Sequence, residues 1–134
     1  MSRLLSTLMC VAVVAAGCGS NPNEPGPFPV TVTLRLGQTV SAGGLGVTFL
    51  EVSNDSRCPL DATCISAGDA YLQLAVSAAD RSPATLLPLQ VNAPDHNTGT
   101  VGGYSIAVKS LGPYPSVSRP IDKGTYTVTV EVSR

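Results

Sequence analysis

Thr125–Ser133 carries the cleanest alternation in the chain, with Tyr126, Val128, Val130 and Val132 set against Thr125, Thr127, Thr129, Glu131 and Ser133. Successive side chains of a strand point to opposite faces, so this pattern predicts a strand with one buried and one wet face. The β-branched run on one face predicts a central or well-packed position in a sheet. The same signature opens at Val30, where Val30, Val32, Leu34 and Leu36 alternate with Thr31, Thr33 and Arg35. No segment sustains a 3.6-residue period over helical length, and no internal repeat is evident.

Between these two segments the pattern recurs in short pieces. Gln38–Ser41 is extended, and Val47–Ser53 has Val47 and Phe49 on one face with Leu50 and Val52 leaning to the other. Tyr71–Ala78 sets Leu72, Leu74 and Val76 inward and Tyr71, Gln73 and Ala75 outward. Ala84–Val91 and Tyr104–Leu111 follow, the first interrupted by Pro88, whose missing N–H assigns it to an edge or a bulge. Gly43-Gly44-Leu45-Gly46 reads as a hairpin turn, since it lacks the Lys and Ser/Thr of a phosphate loop and no helix follows. Asn92–Gly103 reads as a long polar loop, and the three prolines of Gly112–Asp122 break regular structure. With 13 glycines and 11 prolines to supply turns, about seven short strands in about 105 residues predict an all-β fold, an antiparallel β-sandwich. A small barrel is the alternative. The sandwich is immunoglobulin-like by strand count only, because there is no Trp and the cysteines lie too close together.

The N-terminus reads as a separate unit. Met1-Ser2-Arg3 is a short positive n-region and Leu4–Ala16 an apolar stretch too short to span a bilayer, so residues 1–17 are expected to be an export signal. The run ends in Ala15-Ala16-Gly17-Cys18, which resembles the lipobox of bacterial lipoproteins. That resemblance implies cleavage before Cys18, lipidation of its thiol (palmitate among the acyl groups) and anchoring in a membrane. The alternative is an ordinary secretory signal that leaves Cys18 as a spare thiol. Cys10, inside the apolar run, would be discarded. Neither Gly19 nor Ser20 is the aspartate that retains some lipoproteins in an inner membrane, which favours the outer membrane of a two-membrane cell. Residues 18–29 form a lipidated Cys and a Pro/Gly-rich tether, leaving 30–134 as the folded domain.

Charge narrows the partners. The net charge of the 134-residue chain is -1 and no run of like charges occurs, so neither a nucleic-acid footprint nor a polybasic membrane patch is present. Lipid would hold such a chain to a membrane, since each buried methylene contributes about 0.8 kcal/mol and several acyl chains anchor stably.

The densest chemistry lies in Ser53–Tyr71. Cys58 and Cys64 are separated by five residues, and in an exported chain they are expected to form a disulfide contributing about 2 kcal/mol by loop entropy. A metal site would need further ligands, and a redox pair would favour C-x-x-C spacing. Asp55, Asp61 and Asp69 surround Arg57 there, which suggests Asx turns and an Arg57–Asp ion pair, with a calcium site as the costlier reading. His96, the single histidine, lies in a polar loop with no partners for a catalytic triad. Tyr104, Tyr114 and Tyr126 could form an aromatic contact surface or border the core.

The run NDSRCPLDATCISAGDA, Asn54–Ala70, resembles the DSRCP-x4-C-x-x-AG-x-A motif of a family of small uncharacterised bacterial lipoproteins, whose members often carry Trp at the place of Ser66. GYSIAVKSLGPYP, Gly103–Pro115, resembles their C-terminal half. The resemblance implies a lipoprotein with a β-sandwich and assigns no catalytic residue. The expectation is therefore a non-catalytic protein of the cell envelope without cofactor or metal. Its partners are the membrane, through Cys18, and an unidentified protein or small ligand. Arg57, Pro59, Asp61, Tyr114 and Arg119 are the candidate contact residues. A protease inhibitor-like or ligand- or metal-carrying envelope protein is the alternative function, and an enzyme is the least supported.

Overall fold

The computed structural model describes residues 27–78 and 83–134. The expected signal segment, Cys10, Cys18, most of the tether and the turn around Asp80–Ser82 lie outside the described residues. The elements are β1 (Val30–Arg35), β2 (Thr39–Ala42), β3 (Leu45–Asp55), β4 (Ala70–Ala78), β5 (Thr85–Gln90), β6 (Thr98–Val101), β7 (Tyr104–Gly112), a 3-10 turn (Lys123–Thr125) and β8 (Thr127–Ser133). They form two four-stranded antiparallel sheets, ordered β1-β8-β7-β6 and β2-β3-β4-β5. The protein is a β-sandwich and not a closed barrel.

The strand with the cleanest alternation, β8, lies between β1 and β7. Its Val128, Val130 and Val132 are fully buried, beside Leu34 and Ile106 of the same sheet and in one core cluster with Val47, Phe49, Leu74 and Val76 of the other. Pro88 is on β5, an edge strand, where a missing donor leaves no ladder bond broken.

At both lateral edges the chain crosses from one sheet to the other. Leu36 N–H donates to Tyr126, just before β8 of the first sheet (3.0 Å), and the next residue, Gly37, donates to Phe49 in the second (2.7 Å). On the far side Gln90 N–H donates to His96 (2.9 Å) and Val108 N–H to Asn97 (2.8 Å), again bridging the two sheets. These corners limit the exposed edge that could pair with another chain.

Three sequence expectations change. Asn92–Gly103 is not all loop, because Thr98–Val101 forms β6 and pairs with β7 across a two-residue turn. Gly102 (φ +59°) and Gly103 (φ +84°) supply the positive φ that such a turn demands. Leu50 and Val52 do not share a face: the register shifts between Phe49 and Glu51, so Val52 packs on the core while Leu50 stays exposed. The closing strand starts at Thr127, since Asp122 caps the preceding turn through Gly124 N–H (3.0 Å).

The two ends of the sandwich differ. Val30, Ser133 and the glycine turns at 43–44 and 102–103 are at one end, where Phe28 packs on Tyr104 at 5.8 Å. The three longest connections described, 56–69, 91–97 and 113–126, gather at the opposite end.

Phe49→Ala, which empties the centre of the core, is expected to lower unfolding stability by about 3–5 kcal/mol, whereas Leu86→Ala, at a 57% exposed position, should change it by less than about 0.5 kcal/mol. Urea denaturation of both variants checks this.

Candidate functional site

The 56–69 connection begins as a continuation of the β3–β4 ladder. Ser56 N–H donates to Asp69 and Cys58 N–H to Ala67, each at 2.7 Å. Cys58 and Cys64 then close the loop as a disulfide, with their Cα atoms 5.9 Å apart. Gly68 lies at φ +66°, with the Ser56 carbonyl where a Cβ would stand, so a side chain there would force the loop open.

Arg57 is the centre of this end of the molecule. It is only 3% exposed. Its Nε donates to Asp55 Oδ1 (2.8 Å) and Nη2 to Asp55 Oδ2 (2.6 Å), a bidentate pair. Nη1 donates to the Leu111 carbonyl (2.6 Å) and Nη2 also to that of Pro113 (2.9 Å), while the Tyr114 ring covers the guanidinium at 4.6 Å. Tyr126 O–H donates to Asp55 Oδ2 (2.9 Å), completing the carboxylate's shell. Among the described residues no buried side-chain nitrogen or oxygen lacks a partner.

The electrostatics follow this geometry. Burial pushes the Asp55 carboxyl up, but hydrogen bonds from Arg57 and Tyr126 and the Arg57 charge outweigh it and hold the group below its ordinary value. Burial, the hydrogen bond to Asp55 and the Asp55 charge push the Tyr126 phenol up to about 12.

Asp61 laces the cysteine loop to the proline-rich one. It accepts from Val117 N–H (2.7 Å), from the Ser116 hydroxyl (2.7 Å), and from Ser118 N–H (3.2 Å) and hydroxyl (3.0 Å). The Val117 N–H and the Ser116 hydroxyl, foremost among these donors, hold its carboxyl well below the usual carboxylate range. Leu60 N–H adds a bond to the Pro115 carbonyl (3.0 Å). Asp69 goes elsewhere, accepting from the N–H groups of Ala70, Val91 and Asn92 at 2.7–3.0 Å.

The three aspartates therefore diverge, and among the described residues no group of three or more His, Cys, Asp or Glu side chains is placed to hold a metal ion. The Arg57–Asp ion pair is formed with Asp55. Arg57 itself is a correction: its charge is spent inside the protein and its side chain is unavailable to a partner. Pro59 is half-buried, Asp61 is exposed but bound to the neighbouring loop, and Tyr114 and Arg119 are exposed. Tyr126 is core, Tyr104 half-buried, and His96 borders a shallow groove with Glu51, Tyr71 and Gln73.

Sequence reasoning missed Leu60 (77% exposed), Ile65 (fully exposed) and Val117 (69% exposed). They are large aliphatic side chains on connections anchored at both ends. The available signal was that all three lie outside any alternating segment and so have no strand face to bury them.

Comparison with family models, with curated proteins and with solved structures gives no match for this chain.

Arg57→Ala strands the Asp55 charge and is expected to cost about 3–5 kcal/mol, part of which Asp55→Asn should recover in the double variant, both read by chemical denaturation. The Tyr126 phenol binds its proton more tightly folded than unfolded, so its stabilisation is complete below pH 10.0 and is lost as pH rises toward about 12. Asp55 has the opposite sign, its stabilisation being lost as pH falls below 3.8 and through its folded value. Ultraviolet titration should show a phenolic ionisation near pH 12 that Tyr126→Phe removes.

Proposed function

We propose that this protein is a non-catalytic lipoprotein of the cell envelope, anchored through lipid on Cys18, that presents the stapled-loop end of its β-sandwich to a protein partner. The observation that carries the reading is the exposure of Leu60, Ile65 and Val117 on loops held by the Cys58–Cys64 disulfide and the Asp61 hydrogen bonds. Exposed aliphatic side chains on already ordered loops lose little conformational freedom on binding, which favours a contact surface.

Two further points support it. A disulfide suits an oxidising compartment, in keeping with export and with the resemblance of Asn54–Ala70 to bacterial lipoproteins. Phe28 and the start of β1 lie at the end opposite the long loops, so a tether running from Cys18 would leave those loops turned away from the lipid. The outer membrane is the favoured location where a cell has two.

The test is a photo-crosslinking amino acid placed at Ile65 or, as control, at Leu86 on the outer face of β5, in chains with Cys18 intact or changed by Cys18→Ser. The expected result is membrane fractionation that Cys18→Ser abolishes, and one discrete protein adduct from Ile65 alone. Equal adducts from both positions, or membrane retention of the Cys18→Ser chain, would overturn the reading.

A further inference from the structure

The 113–125 connection curls around a hollow of about 490 Å³, with Tyr114, Arg119, Pro120, Ile121 and Asp122 among its walls. We infer that this hollow is a binding site for a small ligand ending in a single carboxylate, with Arg119 as its ionic partner. The hollow shares the proline-rich connection with Val117 of the proposed contact surface, and its ligand is a separate question from the Ile65 adduct.

The walls are fixed before any ligand arrives. Arg57 holds the Pro113 carbonyl and the Tyr114 ring, and Asp61 holds Ser116, Val117 and Ser118. Asp122 caps Gly124 N–H through Oδ1, and its carbonyl accepts from Thr125 N–H (2.9 Å) and hydroxyl (2.6 Å). Ile121 packs on the core from beneath. A hollow so tethered spends little free energy on ordering itself around a guest.

Its charges are the informative part. Arg119 and Asp122 line the same hollow, yet among the described residues the ion pairs are Arg57–Asp55 and Lys109–Glu131, and Arg119 forms neither an ion pair nor a hydrogen bond. An unspent guanidinium offers a planar fork that matches one carboxylate bidentately. Asp122, three residues away, disfavours a dianion and suits an N–H or O–H donor on the same ligand. Tyr114, Ile121, Pro113 and Pro120 supply apolar surface for the ligand's body. The volume falls within the range of small-ligand sites and accommodates a dipeptide or a sugar ring.

The shared chemistry, a carboxylate beside a hydrogen-bond donor, occurs at peptide C-termini and on acidic amino sugars. Two probe pairs separate these sources: acetyl-dialanine against its C-terminal amide, and N-acetylmuramic acid against N-acetylglucosamine. Each is titrated into the folded protein while the backbone amide signals of 113–125 are followed by NMR, with inorganic phosphate as the dianion control.

The expected result is that a carboxylate probe shifts those signals, that its neutral counterpart binds at least tenfold more weakly, and that phosphate does not compete. Arg119→Gln should weaken the carboxylate probe at least tenfold with an unchanged melting temperature, because Arg119 holds no other part of the fold, and should leave the Ile65 adduct intact. Response to acetyl-dialanine alone assigns a peptide terminus, and response to N-acetylmuramic acid alone an acidic sugar. Silence from both carboxylate probes, equal binding of a neutral counterpart, or full binding by the Arg119→Gln protein would overturn the inference.

Discussion

The loop end of the sandwich depends on one buried ion pair. Arg57 is taken out of water beside Asp55, and a charge so placed is tolerable only when its whole donor set is used. Nε and Nη2 meet the carboxylate, Nη1 and Nη2 meet the Leu111 and Pro113 carbonyls, and the Tyr114 ring closes over the plane. Because those carbonyls terminate β7, the guanidinium ties the end of one sheet to the start of the long connection of the other. Through its hydroxyl, Tyr126 joins the pair to the start of β8, one of the two inner strands of its sheet.

From that tie the rest of the end follows outward. Asp61 accepts donors from Ser116, Val117 and Ser118, so the disulfide-closed loop and the proline-rich connection form one rigid surface. Leu60, Ile65 and Val117 are then left in solvent with no core to enter, and several walls of the hollow that Tyr114 lines are held by the same bonds. Rigidity and exposure are thus two results of the same hydrogen bonds. The opposite end is built differently, from two-residue glycine turns that hold the strands at minimal length.

Much of the fold was legible because burial on a sheet imprints a period of two. The alternations in β1, β4 and β8, the inward Val47 and Phe49, and Pro88 at an edge all carry that imprint. The lapses have physical causes. β6 is four residues with few apolar side chains, and only the Gly-Gly turn announced it. The bulge at Leu50 inserts a residue that reverses the alternation, and an insertion of that kind leaves no local mark. The Cys58–Cys64 staple was legible from spacing and from the expectation of export. The burial of Arg57 was not, since an arginine between serine and cysteine reads as a surface charge.

The sequence by itself determined an all-β chain of short alternating strands, most of the turns between them and the closure of the cysteine loop, because periodicity, glycine chemistry and cysteine spacing act over a few neighbouring residues; the closing of those strands into two facing sheets came with the tertiary structure. Tertiary structure alone decided that Arg57 is interior, that the three aspartates serve three different partners, and that Arg119 and Asp122 share a hollow without pairing. Leu111 and Pro113 are more than fifty residues from Arg57, and Ser116 as far from Asp61. Only when the sheets close do those groups meet, and the energy of a buried charge depends on what it meets there.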